Sequence, residues 1–396
     1  VYRHPTDHVS FMGVTGTNGK TSVVHFLEAI AEAAGRSSGV IGTIETRWRG
    51  KRFATKNTTP GADELHRLVR EMVDDGVDLV ASEISSHAID MHRVSSVHFG
   101  GLALTNVKSD HLDYHKTHDH YRETKRRLFY KKGADAESVT VDHVVVNVDD
   151  ETGRHIIATT DLPVLSFGFH DEAELQGTIL RTDRAGIHMH TTWEGEDEMI
   201  SLPMIGSFNA SNALAATGLA LTQGITLKEA AAGLAELEPV PGRLQRVEAG
   251  QPFLVLLDYA HSANAIITVL AAAREVTEGD VIFVFGCGGD RDQGKRMDMG
   301  CAAGRGADFC VLTDDNPRHE DPSAIRAEAE RGLIQTKARY ENIGDRREAI
   351  RTALAHAKPN DVVVIAGKGH EEVQIIGDEH VPFSDRAVVT EILEDA

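Results

Sequence analysis

The chain has 396 residues, of which 41% are hydrophobic and 26% charged, and its formal net charge is -20 at pH 7. That length exceeds one ordinary core and predicts two domains, while no run of about 18 apolar residues offers a membrane-spanning helix. The acidity argues against partners such as nucleic acid or an anionic membrane surface.

In chain order, VYRHPTDHVSF carries no charged segment followed by an apolar one, so no leader peptide is expected. VSFMGV (9–14) reads as a short buried strand, TGTNGK follows, and TSVVHFLEAIAEAAG (21–35) has helical apolar spacing ended by Gly35. VDLVASEI (77–84), GLALTN (101–106) and HVVVNV (143–148) are further strands with polar residues at or near their C-terminal ends. Strands alternating with helices predict a mainly parallel sheet, which binds ligands beyond its carboxyl ends. Residues 175–203 alternate with period two around glycines and predict antiparallel hairpins appended to that sheet. NASNALAATGLALTQG (209–224) reads as a small-residue helix. A boundary falls near PVPGR (239–243), dividing the chain into 1–240 and 241–396. Beyond it FLVLLDY, VIFVFGCGG, DFCVLTDD and VVVIAGKGH alternate with helices as a second, Rossmann-like α/β unit of about 150 residues. The three cysteines, Cys287, Cys301 and Cys310, lack metal-type spacing and fit a reducing cytoplasm.

TGTNGKT (15–21) is the strongest local signal. Gly16 and Gly19 let the backbone of Thr17 and Asn18 turn its N–H groups toward phosphate oxygens, and the following helix adds its positive end. Lys20 can reach the outer phosphates and the Thr21 hydroxyl can ligate Mg²⁺. Val14 stands where the strict P-loop pattern has its first glycine, so the match is imperfect. The bland alternative is a glycine turn without a ligand; the strand before it and the helix after it favour phosphate. Glu83 ends a strand, as a metal-binding acid does in such folds, yet alone it reads as a solvated loop residue. His111 is one of 21 histidines, which makes local clusters cheap, and Lys125 alone is one cation on a helix face.

The stretches GVTGTNGKTS, NTTPG, SEISSHAIDMHR, LTNVKSDHLDYH, YRETKRRLF, GSFNASNALAA, VPGRLQRV, LDYAHS, VFGCGGDRDQGKR, LTDDNPRHEDP and IAGKGHE run in order over nearly the whole chain. Together they closely resemble the Mur ligases, and within them the enzymes that add the third peptide residue to UDP-MurNAc-L-Ala-D-Glu. The resemblance implies a cytoplasmic, ATP- and Mg²⁺-dependent amide ligase of peptidoglycan synthesis, working through an acyl phosphate and expected as a monomer. By that resemblance Lys20 and Thr21 hold ATP phosphates and one Mg²⁺, and Glu83, His111 and a carbamylated Lys125 hold a second. Asn106 lies near the phosphates, Asn209 and Asn212 near the adenine, and Arg243 and Asp258 near the γ-phosphate and ribose. Thr58, Thr59, Ser85 and Arg93 contact the muramoyl-peptide. Met91 stands where the family often has glutamine, which weakens one expected polar contact.

DNPR (315–318) accompanies the meso-diaminopimelate enzymes of the family. Asp315, Asn316 and Arg318, with Arg291, Gly367 and Glu371, are therefore implied in binding that amino acid. Arg318 could grip its distal carboxylate by paired hydrogen bonds, and Asn316 could offer both a donor and an acceptor. Without the resemblance, Arg318 would read as paired with Asp314, Glu320 or Asp321 in an exposed turn. The family also carries an N-terminal domain that grips UDP, which these residues do not include; ligases of the wider superfamily that act on folate or poly-γ-glutamate lack it too. The competing readings are a Mur-type ligase on another carboxylate without UDP, and a P-loop NTPase with an interaction module. FGCGGDRDQG (285–294) is glycine-rich after a strand but is not the G-x-G-x-x-G of a dinucleotide binder.

Overall fold

The computed structural model describes residues 2–108, 112–130 and 139–395. They form two compact units: one of residues 1–181, 186–203 and 207–238, the other of 182–185, 204–206 and 239–396.

The first unit is built on an eleven-stranded sheet. Its strands in chain order are β1 (Ser10–Thr15), β2 (Ser38–Ile41), β3 (Thr46–Trp48), β4 (Lys51–Phe53) and β5 (Leu79–Glu83). A short pair, β6 (His98–Phe99) and β8 (Thr140–Val141), stands apart from it, and β7 (Gly101–Leu104) and β9 (Val144–Asn147) continue it. β10 (Val164–Gly168), β11 (Leu175–Asp183), β12 (Gly186–Trp193) and β13 (Glu196–Leu202) complete it, in the spatial order 13-12-11-10-9-7-1-5-2-3-4. The centre is parallel: β1 lies between β5 and β7, and all but one of its residues are buried. Strands covered on both faces do not alternate, and SFMGVT and LVASE are buried almost throughout, with their polar residues toward the ends.

The helix Lys20–Ala33 closes with the bonds Gly35 N to Glu32 O and Arg36 N to Ala31 O, a Schellman stop at the glycine where the helical spacing ends. The helix Phe208–Leu221 is buried along almost its whole length, which its alanines and glycine permit. β12 and β13 pair antiparallel, in the segment whose alternation has period two. A second antiparallel meander, β2–β3–β4, forms the other end of the sheet. Its three-residue strands TRW and KRF are too short to show a period, which is why the sequence does not announce them. The exposed edge strand KRF carries two cations that discourage pairing with another chain.

The second unit holds six strands in the order 14-15-19-16-17-18: β14 (Gln245–Arg246), β15 (Leu254–Asp258), β16 (Val281–Phe285), β17 (Phe309–Leu312), β18 (Tyr340–Asn342) and β19 (Val362–Ala366). All but β14 run parallel. A hairpin of β20 (Val373–Ile376) and β21 (Glu379–Pro382) follows. Val255, Leu257, Val284, Val311, Val363 and Ile365 centre its core. No helix starts on the glycine run after β16; the next begins at Lys295. The three cysteines are buried and free. Among the described residues no helix is long and apolar enough to cross a membrane.

Candidate functional site

β1 delivers Thr15 to the carboxyl end of the first sheet, and the next helix starts at Lys20, so its first-turn N–H groups point out of that end. The loop between is tightly packed. Gly16 has φ +146°, and a Cβ there would stand 1.9 Å from the Thr105 hydroxyl; Gly19 has φ +92°, and its Cβ would stand 2.2 Å from Asn212 Oδ1. Asn106 is stapled to the loop. Its carbonyl accepts from Thr17 N at 2.7 Å, its Oδ1 accepts from Asn18 N at 3.1 Å, and its Nδ2 donates to Asn18 O at 3.2 Å. Lys20 folds back to donate to the carbonyls of Gly16 and Thr17 at 2.9 and 3.0 Å, which holds its ammonium over the loop. Asn209 and Asn212 are buried and bonded to each other at 3.0 Å, with the Asn212 amide backing Gly19.

Glu83, at the end of β5, is 1% exposed. Its Oε2 accepts from the Thr21 hydroxyl at 3.1 Å, and from Thr43 Oγ1 at 3.1 Å; its Oε1 accepts from Thr43 N at 2.7 Å. Thr43 also bonds Thr58 at 3.0 Å, while the Thr59 hydroxyl donates to Glu83 O at 2.8 Å and accepts from Ser85 N at 3.0 Å. Arg93 donates to Thr59 O at 3.2 Å and reaches the Met91 sulfur at 3.1 Å, a weak acceptor where the family often carries an amide. Thr58, Thr59, Ser85 and Arg93 thus form one bonded cluster with Glu83. Thr43 ties Thr58 to Glu83, and Glu83 ties the cluster to Thr21; as a lone threonine after β2, Thr43 carries no signal in the sequence.

Lys125, on the helix His118–Arg126, is 1% exposed. Its Nζ donates to Gly16 O at 3.0 Å and lies 4.8 Å above the Tyr121 ring, whose hydroxyl meets Thr17 Oγ1 at 3.0 Å. His111 lies outside the described residues. The Thr21 hydroxyl and Glu83 carboxylate are hard oxygen donors, a set that fits Mg²⁺. A lysine ammonium offers only donors and does not fit; a carbamate on the same nitrogen would.

In the second unit Asp258 ends β15 with its carboxylate buried, accepting from Leu244 N at 2.9 Å and Ala260 N at 2.8 Å. Burial pushes that carboxyl above its ordinary range, against the pull of the Arg243 charge and the two N–H groups. The Arg243 guanidinium sits 5.4 Å from the Tyr259 ring centre. His370 packs on the same ring, and burial, then the Arg243 charge, lowers its pKa to about 4.

The turn after β17 carries the remaining groups. Asp314, Glu320 and Asp321 are committed elsewhere: Asp314 to Arg326, Glu320 to Arg296, and Asp321 to capping the helix Pro322–Thr336. Among the described residues Arg318 therefore forms none of the ion pairs open to it in an exposed turn. It donates instead to Gly289 O at 2.7 Å. Its backbone has φ +51°, a strained conformation for arginine, held by bonds from its N to Ile375 O at 3.0 Å and from Gly377 N to its O at 2.7 Å. Arg291 is exposed, and its stem and Arg318 both flank Gly288. Gly367 faces the Asp315 carboxylate, whose Oδ1 is buried without a hydrogen-bond partner. Asn316 donates to Glu371 Oε2 at 2.9 Å, and its Oδ1 accepts from Lys368 Nζ and from Ile375 N, each at 3.0 Å. Both lone pairs of that oxygen are used, so Asn316 has no acceptor left and only one N–H to offer, half of what its residue type suggested.

The family model of the Mur ligase middle domain matches residues 14–220, and that of the Mur ligase, glutamate ligase domain matches 242–369. A UDP-N-acetylmuramoyl-L-alanyl-D-glutamate--2,6-diaminopimelate ligase of Caldanaerobacter subterraneus subsp. tengcongensis is 41% identical over 100% of this chain and 80% of its own. One of Geobacillus kaustophilus is 39% identical over 98% of this chain and 79% of its own. Among solved structures, a UDP-N-acetylmuramoyl-L-alanyl-D-glutamate--2,6-diaminopimelate ligase superposes with a TM-score of 0.70 at 31% identity, covering 98% of this chain and 78% of that one. Folylpolyglutamate synthase of Mycobacterium tuberculosis, complexed with ADP, has a TM-score of 0.71 at 19% identity over 92% of this chain and 89% of its own, a likeness of fold alone.

Proposed function

Because this chain belongs to the Mur ligase family, we propose that it joins meso-diaminopimelate to UDP-MurNAc-L-Ala-D-Glu with cleavage of ATP to ADP and phosphate, in the cytoplasmic stage of peptidoglycan synthesis. The observation that carries this reading is the arrangement around Asp315–Arg318. Arg318 makes no salt bridge among the described residues, though its charge reaches Asp290; an N–H of Asn316 stands near, and a buried Asp315 oxygen has no hydrogen bond, facing only the Lys368 ammonium at 3.9 Å. A ligand end that carries both a carboxylate and an ammonium complements such a site, and the distal end of meso-diaminopimelate is of that kind. The relatives' names agree.

A carboxylate cannot acylate an amine directly, because its leaving group would be oxide. Attack of the peptide carboxylate oxygen on the γ-phosphorus of ATP forms an acyl phosphate and releases ADP. The neutral amine of the amino acid then attacks the acyl carbon, a tetrahedral intermediate forms, and phosphate leaves with the C–O bond electrons while the amine gives up a proton. The loop Gly16–Thr21 would hold the phosphates, with Lys20 offsetting the repulsion between the two anions, and Asn106, Asn209 and Asn212 bracing the loop. Arg243 and Asp258 would serve the γ-phosphate and ribose. Thr58, Thr59, Ser85 and Arg93 would orient the muramoyl-peptide so that its carboxylate meets the phosphorus. Thr21, Glu83, His111 and Lys125 as a carbamate would hold Mg²⁺, which neutralises phosphate charge when bound.

The test is phosphate release with ATP, Mg²⁺ and UDP-MurNAc-L-Ala-D-Glu, with meso-diaminopimelate, with lysine and with neither. Release that depends on diaminopimelate, with the matching tripeptide as product, is the expected result. Release indifferent to any amino acid marks an NTPase and sinks the reading.

A further inference from the structure

Lys368 is fully buried, and nothing in the sequence separates it from an ordinary surface lysine of a glycine-rich turn. It follows β19, and its ammonium donates to Asn316 Oδ1 at 3.0 Å and to Glu371 Oε2 at 3.3 Å. Its third proton faces Asp315 Oδ1 at 3.9 Å, too long for a hydrogen bond. Three groups implied in gripping the amino acid thus converge on one buried cation. A charge desolvated in this way is costly unless paired and hydrogen-bonded, and its removal leaves its partners buried without it.

The consequence for Asn316 follows from donor and acceptor counting. An ammonium and a backbone N–H both point at one atom of its amide, and a carboxylate faces the other. Only one orientation of the amide satisfies all three, with oxygen toward Lys368 and nitrogen toward Glu371. The remaining Asn316 N–H is therefore a donor that cannot become an acceptor by rotation. Asp315 Oδ1 and Glu371 Oε1 stay outside these bonds as acceptors.

Resting on the reading above, we propose that Lys368 is a positioning residue that sets the polarity of the amino-acid pocket. Through Asn316 it presents a donor beside Arg318 for the distal carboxylate of the substrate. By facing Glu371 and Asp315 it keeps two neighbouring carboxylates compatible with each other, and these accept from the distal ammonium. The substrate class is an amino acid whose side chain ends in a zwitterion; a side chain ending in an amine alone satisfies one end of the pocket and leaves the other desolvated.

The experiment compares the parent chain with Lys368→Met, which keeps the length and removes the charge, and with Lys368→Gln, which keeps a donor for Asn316 without charge. Steady-state kinetics are measured for each substrate, with melting recorded alongside. In Lys368→Met the KM for meso-diaminopimelate rises about 100-fold while the KM for ATP stays constant, and the preference for diaminopimelate over lysine falls by about tenfold. Lys368→Gln lies between parent and Met, because it still orients Asn316. In an Asn316→Ala background the effect of Lys368→Met shrinks, since the side chain through which Lys368 acts is gone. A parent chain without diaminopimelate-dependent release removes the functional reading itself. A parent that depends on diaminopimelate, with KM and preference unchanged in Lys368→Gln and in every Lys368→Met sample that folds, removes this proposal alone. An undiminished Lys368→Met effect in the Asn316→Ala background does the same.

Discussion

In the first unit the loop proposed to hold phosphate is one consecutive stretch, Thr15–Thr21, whose course follows from two glycines pressed against Thr105 and Asn212. In the second unit the groups proposed to hold the amino acid come from the loops after β16, β17 and β19, and two of them, Asn316 and Glu371, bond a buried lysine. One site is shaped by backbone sterics and the other by side-chain bonding across distant segments. Damage should therefore read out differently: loop changes strike ATP use for any amino acid, and pocket changes strike the choice of amino acid.

Lys125→Ala should break the first region most completely. We expect ATP-dependent phosphate release to fall by about 1,000-fold or more, with partial rescue by a short carboxylate that stands in for the carbamate oxygens. Binding of diaminopimelate, followed by calorimetry, should be unchanged. Full activity in the alanine variant would end the carbamate assignment.

Arg318→Ala sharpens the comparison from the other side. Preference for meso-diaminopimelate over lysine should drop about 100-fold, because the distal carboxylate loses its fixed cation. The KM for ATP should stay as it was. An unaltered preference in competition assays means that the distal carboxylate lies elsewhere.

Gly19→Ala places a methyl group against Asn212 Oδ1 in a backbone conformation of φ +92°. ATP affinity should fall by about tenfold to thirtyfold, and stability by about 1–2 kcal/mol. Nucleotide titration and melting check the two. An affinity loss confined to diaminopimelate would contradict the separation of the two regions.

The smallest effect concerns pH. His370 is held near a pKa of about 4 by burial and by Arg243, below its ordinary value of 6.5. The folded state thus binds fewer protons than the unfolded chain. The stability this contributes is complete above pH 6.5 and is lost as pH falls from there through about 4. The loss is on the order of 1–2 kcal/mol once its partial exposure is allowed for. Between pH 7.5 and 4.5 the parent should lose a few degrees of Tm more than His370→Gln. Equal losses would show that another group governs the acid limb.

The alternating strands and helices, the glycine loop between β1 and the helix Lys20–Ala33, and the helix stop at Gly35 were all legible in the residues, because each is a local matter: apolar runs, glycines beside a strand end, and a turn that tolerates positive φ. The ordered set of family motifs carried the wider reading. What only the tertiary structure decided lies between segments far apart in sequence. Thr43 joins Glu83 to Thr58, Lys125 reaches Gly16 across 109 positions, and Lys368 turns Asn316 so that its acceptor is used up. Arg318 pairs with none of Asp314, Glu320 and Asp321, which go to Arg326, Arg296 and helix capping. Residue type determines how many donors and acceptors a side chain has; which of them remain for a ligand depends on the neighbours that folding brings to it.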